Sequence, residues 1–350
     1  MKQKYLLLVF FLLLMGKGKS AVAQNNAYGI TDSVKAYLDK GLTVLQTHSL
    51  NRDAVNWEEL RAAAYQKARG ARTYEDVLPV YPFLFEQLND YHGWFTYKGK
   101  SYSWQRNPAQ PRNAAVVAEL KKKPKVEVNV LKNGIGYILL PGNSDFGMTN
   151  VNRDAQAIRD SISKIHPGKI KGWIIDLRLN TGGNMYPMLG GLAQLMGDGK
   201  VGGFVTKNQE LEEEWSIRGG NFYVNTAQVT NVPQTPQVAG DAPIAVLLSN
   251  MTASAGEAVA ISLKGRPATW FFGETTHGLT TANEGFRIDK NSGLTLAVLY
   301  EADRNGVIYQ ENVKPDEEIL NGDDFTNWKK DQKITAAVKW LKKEIKAQKR

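Results

Sequence analysis

The chain has 350 residues, 42% hydrophobic and 23% charged, with 44 Lys and Arg against 35 Asp and Glu for a formal charge of +9. That length and balance describe a globular protein with room for a large core and exclude a disordered or fibrous one. No cysteine occurs, which excludes disulfides, a thiol nucleophile, cysteine metal ligands and lipid attachment through cysteine.

At the N-terminus Lys2 and Lys4 precede an apolar run from Leu6 to Met15, followed by Ala21-Val22-Ala23. This is the pattern of a cleaved export signal, with cleavage expected after Ala23 and a periplasmic or extracellular location for the mature chain. The run is too short for the roughly 20 residues of a membrane-spanning helix, so no stable membrane insertion is expected. Loss of the four lysines in residues 1–23 lowers the formal charge to about +5.

Residues 24–96 read as a small helical N-terminal domain, with apolar residues every three or four positions over Trp57–Ala68 and Val77–Leu88. Residues 97–125 are Lys- and Pro-rich without periodicity and read as a linker or flap. Trp94, Phe95, Tyr97, Tyr102 and Trp104 supply aromatic side chains for a groove wall there.

Residues 126–328 alternate between strand and helix patterns, an α/β core. Strands are predicted at Val126–Val130, Gly136–Leu140, Gly172–Leu177, Ile244–Leu248 and Ala268–Phe272, and helices at Asn152–Ile165, Met185–Met196 and Ala255–Leu263. A Gly-rich, polar excursion over Gly197–Asp241, partly β, interrupts the pattern, and a hairpin pair, Gly285–Asp289 with Thr295–Tyr300, closes it. In residues 329–350 Ile334, Val338, Leu341 and Ile345 recur at helical spacing between lysines, a docked C-terminal helix with a solvated basic face. The basic residues form no aromatic-interleaved groove pattern, so no nucleic-acid partner is expected.

Two turns concentrate the chemistry. Ser254 lies between the buried strand Ile244–Leu248 and the helix at Ala255. A serine there has its hydroxyl at the positive end of a helix, and the next backbone N–H is free to stabilise an oxyanion. Glu257, three residues on, also makes the segment a capping box. The second turn, Asp176-Leu177-Arg178-Leu179-Asn180-Thr181-Gly182-Gly183, leaves a buried strand through two glycines, which permit a sharp turn and an unobstructed approach of N–H groups to a ligand. Asp176 and Arg178 are expected to hold that turn by a salt bridge.

Five segments in order over residues 90–316 carry a resemblance: Asp90-Tyr91-His92, the Asp176–Gly183 turn, Thr252-Ala253-Ser254-Ala255-Gly256-Glu257, Gly273-Glu274-Thr275-Thr276-His277-Gly278 and Glu311-Asn312-Val313-Lys314-Pro315-Asp316. The chain resembles the C-terminal processing peptidases and their tricorn-type relatives, serine peptidases on a ClpP/crotonase-like core. The resemblance implies Ser254 as nucleophile and an oxyanion hole made by the N–H of Ala255 with that of Gly182 or Gly183. Processing peptidases draw their base from a lysine just after the glycine that Gly278 matches, but Leu279 stands there. The tricorn-type branch uses the histidine that His92 matches and the glutamate that Glu311 matches, with a serine before the histidine where this chain has Tyr91. The interval between His92 and Val126 is too short for the peptide-binding PDZ domain common in processing peptidases.

The resulting expectation is an exported serine peptidase with catalytic Ser254, His92 and Glu311, with Tyr91 as an alternative relay and His277 as an alternative base. Its partner is a peptide or protein substrate, and no metal or other cofactor is implied. A histidine base predicts activity lost as pH falls through roughly 6.5. The competing expectation is a catalytically impaired peptide- or ligand-binding protein on the same fold.

Overall fold

A computed structural model describes residues 27–106, 112–131, 134–233, 238 and 240–348. The expected export signal, residues 1–23, lies outside these residues. Three helices open the chain: α1 (Asp32–His48), α2 (Trp57–Lys67) and α3 (Val80–Gln87). In α1 the buried side chains Val34, Leu38, Leu42 and Leu45 recur at helical spacing and form one apolar stripe. That stripe packs with Tyr81, Leu84 and Phe85 of α3 into a core of its own.

The segment read as a linker or flap carries ordered elements. Strands β1 (Trp94–Tyr97) and β2 (Lys100–Tyr102) pair antiparallel, and α4 (Ala114–Leu120) is capped by Asn113, whose side chain accepts the N–H groups of Ala115 and Val116. The reason lies far away in sequence. β1 pairs with the start of a twelve-residue strand near the other end of the chain, a partner that no local pattern announces.

The core holds β3 (Glu127–Leu131), β4 (Ile135–Leu139), α5 (Val151–Ser163), β5 (Gly172–Asp176), α6 (Met185–Met196), β6 (Gly199–Val205), β7 (Leu211–Arg218), β8 (Asn221–Val224), β9 (Ala227–Gln228), β10 (Ile244–Leu248), α7 (Ala255–Leu263), β11 (Thr269–Gly273), β12 (Thr281–Arg287), β13 (Ser292–Asp303), β14 (Ile308–Tyr309) and β15 (Glu317–Glu318), and α8 (Gln332–Ala347) follows it. Six strands form one sheet in the order β15-β11-β10-β5-β4-β3, parallel except for the β3–β4 pair.

Every residue of β5 and β10 is buried, as a parallel sheet covered on both faces requires. Alternate side chains go to opposite faces: Trp173, Ile175, Val246 and Leu248 join α5, α6 and α7, whereas Ile174, Ala245 and Leu247 meet Ile334, Ala337, Val338 and Leu341 of α8.

The excursion over 197–241 is largely β. Its strands β6 to β9 extend a second, antiparallel sheet of nine strands, in which β13 is the spine: it pairs with β1, β12, β6 and β14. Leu294 and Leu296 of β13 sit in the helical N-terminal core, so this strand ties the two parts together.

Candidate active site

The loops after β5 and β10 leave adjacent strands at their C-terminal ends, the usual position of a ligand crevice in an α/β sheet. Ser254 ends the second loop with φ 51° and ψ −120°. A non-glycine residue in such a conformation costs roughly 1–3 kcal/mol and persists only where its surroundings over-determine it.

They do so here. Thr252 Oγ1 donates to the Leu177 carbonyl at 2.9 Å, Ser249 Oγ to the Arg178 carbonyl at 2.7 Å, and the Ala253 N–H to the Asn180 carbonyl at 3.0 Å. The two turns read separately from the sequence are one hydrogen-bonded unit.

Glu257 completes it from beneath. The capping box with Ser254 is formed, and the fully buried carboxylate accepts the N–H groups of Ser254 at 2.8 Å, Gly278 at 2.9 Å and Leu279 at 2.7 Å, together with the Thr276 hydroxyl. Burial lifts its pKa to about 7 against the pull of those donors. Position 279, without a lysine, therefore contributes its backbone to holding the serine turn.

The double glycine has a steric cause. A Cβ on Gly182 would lie 2.9 Å from Ser254 Cβ, and one on Gly183 would lie 1.7 Å from the Asn143 carbonyl oxygen. Both have positive φ, 103° and 110°. The Gly182 N–H is already given to Asn180 Oδ1 at 3.1 Å. Among the described residues the N–H groups of Gly183 and Ala255 have no such acceptor, and both residues line one cavity with Ser254. Of the two glycines offered as oxyanion donors, the geometry leaves Gly183 free and occupies Gly182.

That cavity, of about 440 Å³, is also lined by His92, Trp94, Met185, Tyr186 and Phe204. Phe146 and Met148, 77% and 57% exposed, stand at it as an apolar rim. The aromatic cluster divides its duties: Trp94 lines the cavity, whereas Phe95 and Tyr97 are buried in the helical core.

His92 is presented by a loop that Asp90 clamps. The buried Asp90 carboxylate accepts the N–H groups of His92 at 3.1 Å, Gly93 at 2.7 Å and, from β13, Ala297 at 3.2 Å. Asn283 Nδ2 of β12 donates to the His92 carbonyl at 3.0 Å. The ring's Nδ1 lies 2.7 Å from Thr281 Oγ1. Burial, with a smaller contribution from His277, pushes the imidazole down to about 4, well below the 6.5 expected of an ordinary histidine.

Glu311 and Tyr91 lie on the other side of His92, around a second cavity of about 140 Å³ that also includes Arg106 and Gly278. Glu311 is exposed, and the Arg106 guanidinium sits over the Tyr91 ring at 5.1 Å. The hydrogen-bond partner of the His92 ring is therefore a β12 hydroxyl, where the family pattern predicts a Glu311 or Tyr91 relay. His277 does not line the Ser254 cavity. Its backbone N–H donates to the Thr252 carbonyl at 2.8 Å, and its ring pairs with the Asn250 backbone.

Below the site, Arg178 is wholly buried and makes the expected pair with Asp176, Nη2 to Oδ2 at 2.6 Å. It also reaches Asp323 and Asp331, each at 2.6 Å. Sequence reasoning found the first partner and missed the other two, which come from the segment before α8. Thr281 and Glu301 were missed as well. Glu301 had a signal, a carboxylate inside the apolar run of β13, but an exposed-looking threonine such as Thr281 had none.

Residues 134–319, more than half the chain, match the sequence pattern of Peptidase family S41. The chain belongs to peptidase family S41. The expected family and its α/β fold with a small helical N-terminal region therefore hold. This S41 chain is 24% identical over 323 residues to a nisin-resistance protein of Lactococcus lactis subsp. lactis, a match spanning 92% of this chain and 91% of that one. In fold it is similar to a lipoprotein from Streptococcus agalactiae, with TM-score 0.63, 22% identity and coverage of 90% and 98% of the two chains. It is also similar to the photosystem II D1 C-terminal processing protease, with TM-score 0.55, 15% identity and coverage of 83% and 94%. No helix among the described residues is long and apolar enough to cross a membrane.

Proposed function

We propose that this S41 chain is a serine peptidase that hydrolyses peptide bonds through an acyl-enzyme on Ser254, with His92 as the base. The observation that carries the reading is the shared cavity: a serine on a strained strand-to-helix turn, an imidazole and two uncommitted amides face the same space. In this reading Thr281 Oγ1 accepts the Nδ1–H of His92, which leaves Nε2 unprotonated to take the serine proton. The carbonyl of the scissile bond accepts hydrogen bonds from Ala255 and Gly183 as its oxygen becomes negative, and His92 returns the proton to the leaving amine. Glu311 lines the second cavity with Tyr91 and His92, and in this reading the direct partner of the His92 ring is Thr281.

A base held near 4 is neutral at pH 7 and ready to accept a proton. Protonation blocks it, so turnover is lost as pH falls through about 4 and not through 6.5. The name of the Lactococcus relative ties that protein to nisin resistance. For this chain we propose only the wider class, a peptide or protein substrate. We also propose export, resting on the signal pattern of residues 1–23. An active-site serine reagent, with mass spectrometry of the labelled residue, tests the central claim: modification of Ser254 is expected, and an unlabelled Ser254 in a protein that cleaves no peptide would leave the impaired binding protein as the reading.

A further inference from the structure

One ionisable group of the Ser254 cavity has no task in the reaction. Glu301, on β13, is 3% exposed, lines the cavity, and has its Oε2 buried without a hydrogen-bond partner. Leaving a buried carboxyl oxygen unpaired is costly, and a fold retains such a group where something else supplies the donor.

Its neighbours share the deficiency. Glu301 is directly opposite Phe204 on β6, and Phe204 is directly opposite Glu213 on β7, so the three side chains share one face of the sheet. Glu213 Oε2 is likewise buried and unpartnered. So is Asn283 Oδ1, in the cavity itself, while the amide nitrogen of the same side chain is fixed on the His92 carbonyl.

Three orphan acceptors thus gather at and beside a cavity whose described lining residues include no lysine or arginine. His92 is neutral there. Burial, reinforced by Glu257, raises the Glu301 carboxyl well above the ordinary range, and burial followed by Glu212 raises Glu213. The walls toward them, Met185, Tyr186 and Phe204, are apolar and suit an alkyl stem.

We propose, on the basis of the peptidase reading above, that Glu301 is the floor of a subsite for a basic side chain, lysine or arginine, on the residue whose carbonyl Ser254 attacks. Ser254, the residues of the two amides and Glu301 line one cavity, so a residue whose carbonyl those amides hold has its own side chain in the space that Glu301 lines. An ammonium or guanidinium brings several N–H donors to acceptors that have none, and its aliphatic stem covers the apolar wall.

The test uses the full mature chain and four peptides that differ only at the residue before the scissile bond: lysine, its uncharged analogue norleucine, arginine, and its uncharged analogue citrulline. The lysine and arginine peptides are expected to exceed their neutral counterparts in kcat/KM by about 100-fold. Glu301→Gln, which keeps the shape and removes the charge, is expected to reduce kcat/KM for the charged peptides until each ratio falls within about threefold of unity. Reagent labelling of Ser254 in both proteins checks that the nucleophile is intact. Equal cleavage of charged and neutral peptides by the unmodified protein, or a preference for norleucine, overturns the subsite and leaves the peptidase standing, and that outcome needs no variant. Absence of both labelling and cleavage with every peptide overturns both readings.

Discussion

Two buried polar regions lie within one loop of each other and are built on opposite principles. Beneath the Asp176–Gly183 turn, Arg178 meets Asp176, Asp323 and Asp331, Lys333 Nζ meets Asp323 at 2.7 Å and Glu274 at 3.0 Å, and Tyr137 donates to Asp176 at 2.7 Å. Each carboxylate has a cation or a donor. Around Ser254, by contrast, among the described residues His92 has a hydroxyl partner and no ion pair, Glu301 and Asn283 have orphan oxygens, and two amides are uncommitted. The first region is complete in itself, and what it fixes is position. The second is incomplete, and the missing partners describe a substrate.

The comparison can be broken at either end. Ser254→Ala carries the largest expected effect, a loss of at least about 10⁴-fold in turnover. The fold should hardly notice, since lost capping costs only about 1 kcal/mol. Comparable losses of rate and of melting temperature in this variant would mean that Ser254 is a cap and nothing more.

Next in size, His92→Ala should reduce kcat by about 10²–10⁴-fold, whereas His277→Ala, outside the cavity, should stay within about threefold of the unmodified protein. The pH profile sharpens this: the acid limb belongs near 4, where burial places His92. A silent His92→Ala with an inactive His277→Ala would move the base to the loop beside Leu279.

Arg178→Met attacks the complete region. It leaves Asp176, Asp323 and Asp331 buried without their shared cation, and the expected cost is about 3–5 kcal/mol of stability, measured by chemical denaturation. A variant as stable as its parent would show that the network is ornamental to the fold.

The smallest effects separate the two candidate partners of His92. Thr281→Val removes the oxygen 2.7 Å from Nδ1 and should lower kcat by about tenfold with little change in KM, while Glu311→Gln, at an exposed carboxylate, should lower it by less. The reverse order would restore Glu311 to a direct place in the relay.

Much of this was legible without coordinates. The apolar runs of β5 and β10, the largely apolar α6 and α7 and the helical periodicity of α8 are local properties, fixed by backbone geometry and the need to bury one face or more. Ser254 beside Ala255 at a helix start, and two glycines after a buried strand, are likewise local. The reason glycine is needed there is tertiary, because a Cβ at either position would collide with Ser254 or Asn143.

What tertiary structure alone decided are matters of pairing across distance. The partner of His92 comes from β12, 189 residues away, and the choice between Gly182 and Gly183 turns on an Asn180 oxygen that occupies one amide. The start of the 97–125 segment reads as structureless because β2 pairs only with β1, and β1 in turn is held by β13, nearly 200 residues on. Glu301 became informative only when the sheet register set it opposite Phe204 in the serine's cavity with no donor in reach. A sequence states which groups need a partner, but whether one arrives is settled by which strands lie side by side.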